Sequence, residues 1–270
     1  MRIAVDHRTH YSFSDPQARI VEMLRLTPSD TQDQTVVSWE IDVNVDARLR
    51  PARDGFGNAI TMLYADGPIE ELEITVVGEV LTAERNGVVE GGVEPLPPQL
   101  YRRIGRRTRA SGELAAFAAE TMLGAKSVID RLHRLNTALH ARFETVVPAR
   151  DQGFSASAAF RLVQVAPRDL AHMFIAVARG LALPARFVSG YRSVPEEPSI
   201  APHAWAEAHV DGLGWVAFDP SAGICTDQHY VRVAIGLDAS DAAPITGQRT
   251  GRGREALDVD LHVDQLGGDG

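Results

Sequence analysis

Apolar and polar residues alternate through the first third of the chain. Trp39-Glu40-Ile41-Asp42-Val43-Asn44-Val45-Asp46 and Leu72-Glu73-Ile74-Thr75-Val76-Val77 each place one kind of side chain on each face, as a half-buried strand requires. Asp54-Gly55-Phe56-Gly57-Asn58 and Asp66-Gly67-Pro68 carry turn chemistry between such runs. No amphipathic helical period develops before residue 95, so the pattern predicts a β-sandwich over residues 1–95. Pro95-Leu96-Pro97-Pro98 and the arginines 102, 103, 106, 107 and 109 then mark a Pro/Arg-rich linker over 96–110. The arginines suit a solvated, salt-bridged face or a surface for an acidic ligand.

The period changes after the linker. Val128, Leu132, Leu135, Leu139 and Phe143 recur at helical spacing behind Ser127, an N-cap residue type. Leu170, Phe174, Val177 and Leu181 form a second apolar stripe that ends before Pro184. Strand patterns return from Pro184 to about Val233. A Gly/Arg-rich loop follows from Gly247 to Arg254, then a last strand over Leu257–Val263 and a frayed tail at 267–270. Residues 111–270 therefore predict an α+β domain with a C-terminal strand.

Two of those strands fix the position of titratable groups. Residues 201–210 and 214–219 flank Asp211-Gly212-Leu213-Gly214 and predict an antiparallel hairpin. His203 opens the first strand and Asp219 closes the second, which brings both to one end of the hairpin. His203, Trp205, Glu207 and His209 share one face, and Ala204, Ala206 and Ala208 share the other. This geometry suits a His/Asp catalytic pair, or a structural histidine beside a turn aspartate.

Composition narrows the function classes. The 270 residues are 44% hydrophobic and 23% charged, as in soluble globular proteins, and no apolar run reaches membrane-spanning length. The start, Met1-Arg2-Ile3-Ala4-Val5-Asp6, lacks the apolar core of a signal peptide. A single cysteine, Cys225, excludes an internal disulfide and fits a reducing, cytoplasmic location. The formal charge of −9 argues against nucleic acid as a partner. His203, His209, Asp219 and His229 are conceivable metal ligands, but no dense ligand motif occurs, and no metal or cofactor is expected.

The blocks Pro167-Arg168-Asp169-Leu170-Ala171-His172, His203-Ala204-Trp205 and Phe218-Asp219-Pro220 carry a more specific signal. They resemble the core of the transglutaminase-like superfamily, in its bacterial cysteine-protease branch. That branch reads Cys-Gln-Asp-Phe-Ala-His, His-Ala-Trp and Phe-Asp-Pro at these blocks. Ser12-Phe13, Leu24-Arg25-Leu26-Thr27-Pro28 and Asp54-Gly55-Phe56-Gly57-Asn58 resemble the N-terminal domain usually attached to it. The resemblance implies a papain-like core in which a thiolate at a helix N-terminus attacks a carboxamide, a histidine protonates the leaving amine and an aspartate orients the histidine. It puts His203 and Asp219 in the last two roles and places Asp169, Trp205 and Tyr191 in the binding cleft. Pro167 falls on the cysteine.

Proline is comfortable in the first turn of a helix, yet it supplies neither a nucleophile nor the backbone N–H that helps hold an oxyanion in this superfamily. The family's preceding glycines fall on Val163 and Val165. His172 reads as a packed helix residue or a group supporting the site. Cys225, or more remotely Ser155, Ser157 or Ser221, could replace the nucleophile, although none follows the strand-to-helix elbow that activates a serine. The expectation is a pseudoenzyme that binds a peptide or protein partner through the inherited cleft. The alternative is an active amide hydrolase or transglutaminase working through Cys225 or a rearranged site.

Overall fold

The structure, a computed structural model, describes residues 1–147, 152–194 and 201–267. The N-terminal region is rich in strand but does not split into two sheets. β1 (Arg2–Leu24) and β4 (Ala59–Thr82) run antiparallel along almost their whole lengths, and β2 (Gln34–Val43) and β3 (Ala47–Arg53) both pair with the far edge of β4. The expected sandwich is thus one continuous hydrogen-bonded sheet. Its bend comes from register shifts between Ser12 and Arg19. Across such a bulge the inward-facing set changes parity: Ile3, Val5 and His7 are buried before it, Ile20 and Leu24 after it.

Asp66-Gly67-Pro68 lies inside β4 at this bend and is not a turn. A Cβ on Gly67 would sit 1.9 Å from the Gln17 carbonyl oxygen. The glycine is required by close backbone approach, and close approach leaves the same residue type in a sequence as a turn does. The Asp54–Asn58 segment is a turn as expected, with Asp54 Oδ1 accepting from the backbone N–H groups of Phe56 and Asn58.

β5 (Val88–Val89) already belongs to the second sheet, where it pairs with β10. A 3₁₀ turn (Pro98–Arg102) leads to α1 (Gly112–Thr121), α2 (Val128–Arg142), β6 (Glu144–Thr145), α3 (Ala156–Ala159), β7 (Gln164–Val165) and α4 (Pro167–Gly180). Ser127 caps α2, its Oγ accepting from Asp130 N–H at 3.1 Å. The second sheet follows as β8 (Ala185–Arg192), β9 (His203–Val210), β10 (Gly214–Asp219), β11 (Ile224–Cys225) and β12 (Tyr230–Gly236), in the order β11-β10-β9-β8-β12. Helix α4 is buried from Asp169 to Arg179 and packs across β8 and β9, sharing one core with Ala204, Ala206 and Ala208. The opposite face of that sheet holds Trp205, Trp215, Tyr101 and Tyr230, so the alternation read along β9 is the observed one.

The chain then returns to the first sheet. β13 (Ile245–Thr250) and β14 (Glu255–Leu266) pair with β1, with Leu261 opposite His7 and Leu257 opposite Tyr11. The expected Gly247–Arg254 loop is therefore half strand, and the tail beyond Gly267 lies outside the described residues. Ile3, Val5, Leu261 and Val263 join the core around α4, so the first and last strands form one wall against the helical region. No helix among the described residues is long and apolar enough to cross a membrane.

Candidate active site

His203 and Asp219 meet at the end of the β9–β10 hairpin, as the strand ends require. His203 Nε2 donates to Asp219 Oδ2 at 2.6 Å. Asp219 is fully buried, and its remaining acceptor sites are filled: Tyr230 OH donates to Oδ2 at 2.8 Å, and Ser221 N–H and Oγ donate to Oδ1 at 2.9 and 2.6 Å. Burial by itself would raise this carboxyl, but the His203 ring and the donated hydrogen bonds outweigh it and hold the group well below the usual carboxylate range. The same arrangement raises Tyr230, first through burial and then through the Asp219 charge, so its phenol remains a donor.

The imidazole is held from three sides. Trp205 lies nearly parallel to it with ring centroids 6.2 Å apart, and Tyr230 is tilted at 5.9 Å. Trp205 in turn meets Tyr230 edge-on at 5.4 Å. The glycine opposite His203 on β8, Gly190, has no room for a side chain, because a Cβ would lie 2.1 Å from the Val231 carbonyl and 2.7 Å from the Trp205 ring. With Nε2 committed to Asp219, the other ring nitrogen makes no hydrogen bond among the described residues.

Pro167 is the first residue of α4. Ala166 precedes it, with a carbonyl that accepts from Asp169 N–H at 2.9 Å and an N–H that donates to Asp169 Oδ2 at 3.1 Å. Asp169 therefore works as a reciprocal cap for the helix start. Proline fits because its missing N–H has no intrahelical partner in that position.

Pro167 and His203 line the same cavity, of about 380 Å³. Its far wall comes from the first sheet, through His7, Thr9 and Tyr11 of β1 and Leu257 and Val259 of β14. The residues assigned to the cleft by sequence lie behind its lining. Asp169 caps α4, Trp205 backs the histidine, and Tyr191 is buried with its hydroxyl 3.0 Å from His7 Nδ1. His172 is also interior: its Nε2 accepts from Ala239 N–H at 3.0 Å and its ring packs on Phe187.

Cys225 is not at this cavity. It pairs with Phe218 on β11, beyond β10 from the histidine strand. Burial first, and then Glu84, push its thiol up to about 11, the reverse of thiolate activation. The hydroxyls of Ser155 and Ser157 serve α3, accepting from Ala158 N–H and donating to the Arg109 carbonyl. Ser221 belongs to Asp219. The four conceivable metal ligands do not converge. His209 lies six residues along β9 from His203, ~20 Å at strand rise, against Trp215, and His229 is bonded to Asp227.

The sequence did not expose a buried ion network on the outer face of the second sheet. Glu207 is fully buried between Arg186 (2.6 Å) and Arg232 (2.7 Å), and Arg186 also donates to Glu94 at 2.7 Å while lying over Trp215 at 3.8 Å. Burial would raise the Glu207 carboxyl, but the two guanidiniums lower it to about 2. The available signal was Glu207 itself, a carboxylate on the tryptophan face of a strand whose other face is Ala204, Ala206, Ala208 and Val210.

Comparison with known proteins agrees with this architecture. An uncharacterized protein of Mycobacterium leprae is 26% identical over 287 residues, covering 98% of this chain and 99% of the relative. An uncharacterized protein of Mycobacterium tuberculosis H37Rv is 24% identical over 306 residues, covering 99% and 94%. A crystal structure of a candidate cysteine protease from Cytophaga hutchinsonii superposes with a TM-score of 0.78 over 100% of this chain and 92% of that one, at 18% identity, a likeness of fold alone. Residues 3–81 match the bacterial transglutaminase-like N-terminal region, and residues 115–220, which include Pro167, His203 and Asp219, match the transglutaminase-like superfamily.

Proposed function

We propose that this protein is a non-catalytic transglutaminase-fold protein that binds a peptide or protein partner through the cleft beside α4. One observation carries the reading: the residue at the start of α4, in one cavity with the histidine of a His/Asp pair, is a proline. The fold's chemistry needs a thiolate at that helix terminus, where the helix dipole and the imidazole favour its charged form. Proline has no nucleophilic atom and no N–H to hold an oxyanion. The His203–Asp219–Tyr230 arrangement then serves to fix an oriented imidazole in the cleft wall, where it can hydrogen-bond a bound backbone. Cys225 supports the active alternative poorly, because it sits off the cavity with a raised thiol pKa. A lone cysteine and a charge of −9 fit a cytoplasmic protein whose partner is not nucleic acid.

The test is ammonia release from a panel of glutamine-containing peptides by the native protein and by Pro167→Cys in parallel. The reading predicts no release by the native protein. Activity gained in Pro167→Cys would identify position 167 as the vacant nucleophile site. Release by the native protein that disappears in Cys225→Ala would overturn the reading and assign the reaction to Cys225.

A further inference from the structure

We infer that the cavity selects its peptide by one bulky, uncharged apolar side chain, seated against the wall that the first sheet contributes. This deepens the binding role proposed above and rests on it. The wall has a particular chemistry. Ile245, Leu257 and Val259 of the first sheet present carbon, and Phe187, Ala204, Ala242 and Pro244 extend the apolar lining beside them. Of the polar lining residues on β1 and β8, His7, Thr9 and Ser189 have spent their hydrogen bonds within the protein. His7 engages Tyr191 OH at 3.0 Å through Nδ1 and Thr9 Oγ1 at 3.1 Å through Nε2, and Ser189 Oγ donates to the Ala242 carbonyl at 2.7 Å. A polar ligand group there would be desolvated without a partner, at a cost an apolar group avoids.

Charge points the same way. Arg168, beside Pro167 at the start of α4, lines the cavity, and no carboxylate does so among the described residues, which disfavours a lysine or arginine side chain. Burial lowers the His7 imidazole to about 4, which keeps that part of the wall neutral at physiological pH. The volume of about 380 Å³ is at the small end of ligand pockets (roughly 300–1,000 Å³), so it suits one large side chain and its neighbours. At its rim Leu257 and Val147 leave 38% and 44% of their surface in water, an apolar mouth for such a group to cover. The selecting surface thus comes from strands at the two ends of the chain, paired Tyr11 to Leu257 and Thr9 to Val259.

The experiment is calorimetric titration of the full chain with a capped series, Ac-Gly-Gly-X-Gln-Gly-Gly-amide, where X is Phe, Leu, Gly, Glu or Lys. The inference predicts that the Phe and Leu peptides bind at least tenfold more tightly than the Glu and Lys peptides, and a Glu peptide held beside Arg168 as tightly as the Phe peptide would overturn it. It also predicts that Val259→Asp weakens the Phe peptide at least tenfold with an unchanged melting temperature, and Leu257→Gln serves the same purpose at the exposed rim should Val259→Asp fail to fold. Equal affinity for every X, or an unaffected Phe peptide in the variant that folds, would overturn the selection while leaving peptide binding intact. If N-acetyl-phenylalaninamide bound but none of the peptides did, the apolar seat would stand and the peptide-binding role would fall. No binding of either probe would overturn both.

Discussion

Two groups on β1, the buried His7 and the half-buried Glu22, titrate in opposite senses and should nearly cancel in the parent protein. Burial lowers His7 from the ordinary 6.5 to about 4, with only a weak opposing pull from Asp6. Glu22 faces inward with Ile20 and Leu24, and its Oε2 has no hydrogen-bond partner among the described residues. Burial, and secondarily Glu255, raise it from 4.5 to about 7. His7 binds its proton more readily in the unfolded chain, so its contribution to stability falls as pH drops from 6.5 towards 4. Glu22 binds its proton more readily in the folded chain, so its contribution grows as pH drops from 7 towards 4.5. Between pH 7 and pH 5, integrating the two shifts gives a loss of about 2 kcal/mol from His7 and a gain of about 2 kcal/mol from Glu22. Glu22→Gln keeps the shape and removes the titration. Urea unfolding at pH 7 and pH 5 should then show the variant losing about 2 kcal/mol more than the parent on acidification. His7→Asn should shift the balance by a similar amount in the other direction. All other groups titrate alike in parent and variant, so they drop out of the comparison. Parallel parent and variant profiles would refute the burial argument for both residues.

Other perturbations test the supports of the site. Glu207→Ala leaves Arg186 buried with only Glu94 as counter-ion and should destabilise by about 3–5 kcal/mol, the scale for breaking a buried pair, read as a shift in denaturation midpoint. Gly190→Ala drives a Cβ into the Val231 carbonyl and the Trp205 ring; it should cost about 3 kcal/mol and broaden the His203 ring resonances as the strands separate. Cys225, with its thiol raised from 9.0 to about 11, should alkylate with iodoacetamide roughly 100-fold more slowly at neutral pH than an ordinary thiol. That rate should rise about tenfold per pH unit to the limit of the assay.

The parts of this molecule that could be read from sequence are those governed by local periodicity. The β9–β10 hairpin followed from alternation around Gly212 and Gly214, and the meeting of His203 and Asp219 followed from the hairpin. The start of α4 could be read because proline is favoured at the first helical position, and Ser127 marked the start of α2. What could not be read depends on partners far apart in the chain. β14 lies some 250 residues from β1, and nothing in either strand names the other, so the wall of the cavity was invisible. Gly67-Pro68 carries turn residues, yet it serves close backbone approach within a long strand, which made one bent sheet look like the short strands of a sandwich. Glu207 was seen on the correct face, but Glu94, Arg186 and Arg232 reach it only through the folded sheet. Trp205 and Tyr191 were drawn into the cleft by the family pattern, whereas their bulk supports the histidine and the β1 wall from behind.

The central claim is that the cleft binds peptide and leaves it unchanged. The most direct measurement combines binding and product analysis in one sample: the native protein is titrated with Ac-Gly-Gly-Phe-Gln-Gly-Gly-amide, and the peptide is then recovered and weighed by mass spectrometry. The account predicts saturable binding with the peptide returned at its original mass. A peptide deamidated or cleaved by the native protein, with the conversion lost in His203→Ala, would contradict it.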